Sequence, residues 1–570
     1  MNTIIAYAGE QPCAEALVQA LCSAPPAGLS GMAVKDGETL FTVRTAGNPE
    51  ALKADFPEAA VSACIGIAGT AEVLCPGCSE AEAPPVIRGK LALFTDSAVP
   101  LPQGISAGVH AQNAGEAAML RFLTAHIGDG IPAALRETAQ RYPVHGAVVL
   151  GEKENAVFCR AGRSPLFVGI ASHGYWLASD LRLLTGNALR FYVLQTGEFA
   201  KLTPERVTVY DKRLRRIKKT PLPLESEEAD PLPLPSPDSP LAFSMTVRET
   251  LARFLKDGAI HSQALHLPRR SAIKIEKIIL AGIGDALHTA RLAAYNLMLL
   301  TDIPARAYAA GELRFSGEPM DKSTLLIALC DDGRDENLLV CLKRAANLGA
   351  RTLALTPYTK SPVALAADTA VALPGQNAAV AAFLALALMT LAIGSKTEVI
   401  SEVHLNVALR LADMLPGKVT SAVRNTAAAR ITAQALCAHN TVIATGIGAD
   451  EAAAGEAASL LRRNRRSPVW HLPLAELTAE IGSIPEGTLL LCFLTGKETA
   501  PQTEYHLRRL LAAGCHVLVL TTEGIEAELF SEIPAVAYPD SIPLFAPLVC
   551  LAGLARAIDA AGEAAEQAAG

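Results

Sequence analysis

The sequence predicts an α/β multidomain protein, and three observations carry that reading. A short apolar run closing on Gly-x-Gly and followed by an Ala-rich helical pattern occurs twice, as IILAGIGDA at 278–286 and TVIATGIGADEAA at 441–453. Each copy reads as strand, glycine turn, helix. Two further blocks repeat with it, 323–335 against 487–499 and 342–356 against 507–521, at a constant offset of about 164 residues, which marks two tandem copies of one doubly wound α/β domain. Finally, 570 residues exceed what a single core holds.

Along the chain, the first 210 residues differ from the rest. Short β-type runs recur at 3–7, 31–34, 64–68, 90–95, 147–150, 166–170, 175–178, 191–194 and 207–210, with few helical patterns between them. That pattern predicts two antiparallel β layers with helices packed outside. From 211 to 240 the composition turns from basic (DKRLRRIKKT) to acidic (ESEEAD) to proline-rich (PLPLPSPDSP), the signature of a solvated connector. Helical patterns cover 242–265 and 399–438. The uncharged run 378–393 falls short of the roughly 20 residues a membrane helix needs and reads as a buried helix. The expected domains are 1–212, a linker 213–241, then 242–400 and 401–570.

Composition narrows the partners. Half the residues are apolar and the net charge is -7, so nothing electrostatic draws this chain to nucleic acid or an anionic membrane. Twelve cysteines, mostly within apolar strands, suit a reducing cytoplasm. The opening MNTIIAYAGE has no basic region ahead of its apolar residues, so no secretory signal is expected.

At this point the residues meet a known family. A β-rich N-terminal part ahead of two tandem sugar-isomerase (SIS) domains resembles the glucosamine-6-phosphate synthases, the glutamine–fructose-6-phosphate aminotransferases. MNTIIAYAG resembles their opening strand, GLSGMAVKDGETLFTVRTAGN the strand pair after it, and RAGRSPLFVGIASHGYWLASD (160–180) their Arg-x-Gly-Ser-Pro-Leu and Ala-Ser-Asp segments. The resemblance implies an αββα class-II glutamine amidotransferase-like (Ntn) domain followed by two SIS domains, dimerisation through the SIS domains, no cofactor, no metal, and a sugar phosphate as ligand.

The residues for the chemistry are replaced. The family's glutaminase uses a Cys directly after the initiator Met, its thiolate attacking the amide; here the position holds Asn2, and Cys13 lies too far along. The family's carboxylate-clamping Arg falls on Gly69, Thr70, Ala71 and Glu72, its oxyanion-binding Asn-Gly on Asp96 and Ser97, and its amine-holding Asp within 112–116, where Asn113 and Glu116 stand. Glutamine hydrolysis is therefore expected to be lost. In the isomerase half, the resemblance places ligand binding at Gly282, Gly284, Asp285, Asp332, Gly333, Asp335, Gln376 and Asn377. Carboxylates there replace phosphate-binding hydroxyls, and at about 4 Å each opposes a phosphate by roughly 1 to 4 kcal/mol. Arg334 is expected to offset one of them. The ring-opening His, the enolisation base and the C-terminal Lys have no counterpart; the helix for the base carries Arg462, Arg463, Arg465 and Arg466, and no Lys follows Lys497.

Other features read as bland. Cys75 and Cys78 have half a zinc site's spacing without a second pair, and Gly282 with Gly284 lacks the third glycine of a dinucleotide fingerprint. The four arginines read either as a solvated helix end or as a receptor for phosphate or an acidic partner, His471 and His516 as core or edge residues. Three functions stay open: a non-catalytic carbohydrate binder, an ammonia-dependent aminotransferase or sugar-phosphate isomerase, and a structural scaffold.

Overall fold

The computed structural model describes the chain except residues 1, 23–27, 47–48, 55, 72–82, 97–98, 100–113, 144, 163–164, 225–237, 257, 267–274, 332, 360, 375, 465–467, 526–532 and 570. The chain divides into two compact units, one of Met1–Pro231 with Arg334–Glu336 and Lys360–Pro362, the other of the remaining residues to Gly570.

The first unit is built on strand Thr3–Gly9, buried along its whole length. It pairs antiparallel with Ile65–Ala71 on one side and Gly174–Ala178 on the other, inside an eight-stranded sheet. Because strand side chains alternate, Ile5 and Tyr7 enter one core with Leu17 and Leu21 of the Ala14–Cys22 helix, while Ile4, Ala6 and Ala8 enter another with Phe94, Val148 and Leu150 of a seven-stranded sheet. That second sheet's other face packs Leu93, Val149 and Phe158 against helices Ala114–Ala125 and Ile131–Arg141. Three cores thus separate four layers, helix, sheet, sheet, helix. The segment read as a linker differs from expectation at its start: Arg216–Ile217 pairs with Val207–Tyr210, and Leu222–Pro223 with Arg190–Leu194. Short basic and proline-containing strands suit sheet edges, where N–H groups need no partner, which is why composition alone reads them as solvated.

The second unit holds two five-stranded parallel sheets with the same strand order. The first runs Ala305–Ala309, Lys277–Gly282, Thr324–Leu329, Arg351–Thr356, Thr369–Ala372; the second runs Val469–His471, Thr441–Thr445, Thr488–Leu494, His516–Thr522, Ala535–Tyr538. In this order the chain reverses direction across the sheet beside the first strand, and ligands of such folds bind at the carboxyl ends there. One core runs through both repeats, with helix Ala378–Lys396 buried in its midst, where 83% of its most apolar window is covered by protein. Asn377 starts that helix by accepting from Val380 N–H at 3.0 Å. Helix Pro240–Phe254 is likewise capped by Ser239 and continues not as helix but as a two-stranded ribbon, Leu255–Lys256 with Ala259–Ile260.

The repeats meet where helix Asp285–Thr301 crosses helix Ala449–Asn464. A Cβ built on Gly455 would stand 2.2 Å from His288 Nδ1, so the crossing requires glycine. Ala ordinarily gains about 1 kcal/mol over Gly within a helix, whereas overpacking of a buried ring costs about 1 to 3 kcal/mol. Gly455→Ala is therefore expected to lower stability; a denaturant titration in which the variant unfolds later than the parent would contradict this crossing.

Candidate functional site

In the first unit, the residues that stand at the positions expected for amide chemistry are engaged in structure. Asn2 Nδ2 donates to the Thr95 carbonyl at 3.1 Å. Asp96 is buried, and its Oδ1 accepts from Gly146 N–H at 2.8 Å. The nearby Arg160 guanidinium donates to the carbonyls of Tyr142, Pro143 and His145. Burial pushes the Cys13 thiol up to about 12, and the neighbouring Cys64 adds to it, leaving a poor nucleophile. Glu116 Oε1 accepts from Val99 N–H at 3.0 Å. Glu72, Ser97, Asn113, Cys75 and Cys78 lie outside the described residues. Arg334 clusters with the first unit, donating to Asp180 Oδ2 and to Thr3 Oγ1, both at 2.7 Å. A buried guanidinium takes the partner that desolvates with it, and Asp180 is fully buried.

In the second unit, Gly282 ends its strand where a Cβ would come within 2.6 Å of the Ala286 backbone, and Gly284 takes φ 57° ahead of the helix that Asp285 opens. Gly333 has φ 72°. Asp335 precedes helix Glu336–Asn347 and clusters with the first unit, while Asp332 lies outside the described residues. The N–H groups of Gln376 and Asn377 both donate to Thr246 Oγ1 at 3.2 Å. Of these predicted residues, Asn377 lines a cavity between the repeats, and Asp285 is tied to it through Arg463.

That cavity has a volume of ≈ 30 Å³, enough for a water-sized group. Its walls come from both repeats: His288, Thr289 and Leu292 from the first, Ala452, Glu456, Leu460 and Arg463 from the second, with Phe243, Phe383 and Leu548 closing it. Arg463 pairs with Asp285 and, through two hydrogen bonds at 2.8 Å, with Asp238. The guanidinium expected to be a solvated helix end or a phosphate receptor is thus held by two carboxylates. Arg462 donates to Ser459 Oγ instead, and Arg465 and Arg466 are outside the described residues.

Glu456 is the residue that sequence reasoning missed. It is half-buried, with the Oε2 atom out of reach of solvent; Thr289 hydrogen-bonds its carboxyl, and its Oε2 has no hydrogen-bond partner among the described residues. Burial raises it from 4.5 to about 8, and the charges of Asp331 and Asp238 push the same way. Its signal is visible afterwards: a lone acid at the spacing 452, 456, 460, 463 of the helix face that lines the cavity. Beside it, His288 meets His471 edge-on at 5.3 Å. Burial first, then the charges of His471, Arg291 and Arg462, lowers His288 to about 4, so it is neutral at pH 7. In the second repeat, Thr495 N–H and Oγ1 donate to Asp450, which burial holds above the usual carboxylate range.

Comparison with known proteins places this architecture. Residues 273–395 match the SIS domain family. The glutamine–fructose-6-phosphate aminotransferase [isomerizing] of Clostridium tetani is 22% identical over 417 residues, 70% of this chain and 68% of that protein. Its namesake from Symbiobacterium thermophilum is 25% identical over 67% of this chain and 65% of its own length. The C-terminal domain of glucosamine-fructose-6-phosphate aminotransferase from Francisella tularensis superposes with TM-score 0.51 at 17% identity, covering 56% of this chain and 92% of that one.

The buried acid has a measurable signature. Between 4.5 and about 8 the folded chain holds a proton on Glu456 that the unfolded chain releases, so stability falls as pH rises through this window, by at most roughly 1.4 kcal/mol per unit. His288 works in the opposite direction from 6.5 down to about 4. Glu456→Gln removes only the first term. Denaturant titrations from pH 5 to pH 8 should show the variant gaining on the parent as pH rises; parallel curves would show that Glu456 ionises freely.

Proposed function

We propose, from the premise that this chain is a divergent member of the glutamine–fructose-6-phosphate aminotransferase family, that it binds a carbohydrate derivative between its two repeats without catalysing the family's reactions. The second repeat, with the strand order of the first, is read as a second SIS domain. The observation that carries the reading is Arg463: a side chain of the second repeat, bound to Asp285 at the helix start of the first, at the lip of a cavity both repeats build. The cavity is smaller than a hexose, so a sugar enters by displacing the Arg463 side chain, which is 38% exposed. Family names put sugar phosphates first among ligands to test.

Glutaminase activity is read as lost because Asn2 stands where the family's nucleophilic Cys is expected. Cys13 is buried with its proton held to about 12, and Asp96 presents a carboxylate where an oxyanion would form. The isomerase reading finds only a weak base in the cavity: burial lowers His288 to about 4, and Glu456 is protonated at pH 7. Dimerisation through the SIS domains and a place in the cytoplasm belong to the same proposal. The small cavity volume favours a second reading, a scaffold that keeps the fold with no ligand.

Two assays on the purified chain decide. Incubation with glutamine, with and without fructose-6-phosphate, should release no glutamate and form no glucosamine-6-phosphate; ordinary turnover would end the non-catalytic reading. Thermal unfolding against hexose phosphates, amino sugars and nucleotide sugars should show a rise for at least one, since ligand at 100 times its Kd adds about 2.7 kcal/mol. No rise for any of them would favour the scaffold.

A further inference from the structure

We propose that the basic segment 212–218 of the first unit is a docking strip for an extended acidic peptide of a partner protein, which adds as a strand to the open edge of the seven-stranded sheet. Arg216–Ile217 ends that sheet: it pairs with Val207–Tyr210 on one side and, among the described residues, with no strand on the other. The hairpin leading into it is fixed. Asp211 N–H donates to the Arg215 carbonyl at 2.9 Å and Leu214 N–H to the Asp211 carbonyl at 2.8 Å. Asp211 Oδ1 accepts from the N–H groups of Arg213 and Arg215, both at 2.9 Å. In such a three-residue loop the last position is left-handed and ordinarily glycine. Here Leu214 takes it at φ 61°, and its side chain packs with Tyr210 on the core beneath the helices. Strain of this kind persists only where the surroundings over-determine it, so Lys212 and Arg213 are carried on a rigid tip.

Backbone and side chains of the strip offer the same period. Hydrogen-bonded and non-bonded pairs alternate along an antiparallel ladder. Asp211 and Arg215 form a bonded pair, so the backbone groups of Arg216 turn outward to the open edge, and those of Lys218 follow two residues on. The side chains of Arg216 and Lys218 share the face opposite Ile217, which packs between the sheets, and they stand about 6.6 Å apart. An extended peptide with acids at alternate positions repeats at that distance, and one such strand meets both the open backbone groups and the cations. Arg215 is already paired with Asp211, and Lys219 with Glu198. Lys212, Arg213, Arg216 and Lys218 are exposed and have no ion pair among the described residues. Charges on an edge deter neutral and basic strands; these admit an acidic one. Nucleic acid fits less well, because the segment 212–218 holds no aromatic side chain on which a base stacks.

The test is fluorescence anisotropy of labelled probes with the whole chain at low salt. The probes are a capped eight-residue peptide alternating Glu and Thr, its isomer with the Glu residues in one block, and oligo(dT); phosphatidylserine vesicles are tested by co-sedimentation. The alternating peptide should bind more tightly than the other three. Joint Arg216→Glu and Lys218→Glu substitution should weaken it about tenfold or more and leave thermal unfolding unchanged, both side chains being exposed. A Glu opposite Arg216 shares its bonded pair, so methylating the peptide's Glu backbone nitrogens should abolish binding, and methylating its Thr nitrogens should spare it. Equal binding of the two isomers, or of the two methylated forms, would reduce the strip to a patch of charge and overturn the proposal. Tighter binding of oligo(dT) or vesicles would overturn it in favour of those partners. Binding seen only after Glu225→Gln, Glu227→Gln, Glu228→Gln and Asp230→Asn would overturn it by making the chain's own acidic run the occupant. No binding of any probe would end it.

Discussion

The approach of His288 to Gly455 is the constraint from which the second unit's chemistry follows. With no Cβ at 455, the helix opening on Asp285 and the helix opening on Ala449 cross closely enough for their side chains to share one cavity. One residue after the glycine stands Glu456, and two turns on stands Arg463, which reaches the start of the opposite helix at Asp285. A wider crossing would let water reach the acid and would separate the ion pair. The polar character of the cleft is thus a consequence of backbone proximity, and its apolar walls are what give its few charges their weight.

Burial and charge compete in this cleft with different winners. At Glu456 desolvation wins, because Asp331 and Asp238 reinforce it, and the carboxyl stays protonated at pH 7. At Arg463 attraction wins, because the guanidinium remains partly exposed and meets two carboxylates in fixed geometry. At Asp450 the two donors of Thr495 oppose burial without overcoming it. The cavity that both repeats line thus keeps a carboxyl oxygen without a hydrogen bond among the described residues, whereas the acid at the start of the second repeat's helix is hydrogen-bonded by Thr495.

The first unit shows how an architecture absorbs substituted residues. Its four layers depend on apolar alternation along strands such as Thr3–Gly9, and that alternation tolerates any residue at the strand's edge. Asn2 and Asp96 are accordingly absorbed into backbone hydrogen bonds without disturbing the sheets. The same economy governs Arg334, which joins Asp180 and Thr3 in burial.

Both the repeat and the layered β-rich half were legible in the chain, because hydrophobic period and glycine turns are local properties that write themselves into adjacent residues. Ala378–Lys396 was legible as a buried helix for the same reason, and Gly282 and Asp285 as the turn and helix start of a candidate site. The edge strands at Arg216–Ile217 and Leu222–Pro223 were not, since exposed strands carry no apolar signature. Glu456 was hidden by its Ala-rich surroundings, which gave no sign of what the opposite helix would bring to it. By itself, then, the sequence determined the elements and their order. Only the tertiary structure decided that one carboxyl oxygen of Glu456 is buried without a hydrogen bond among the described residues, that Arg463 is bound rather than free, and that Asp285 meets it. Those properties are set by distances between residues more than 150 positions apart, and desolvation and Coulomb interaction depend on distance in space.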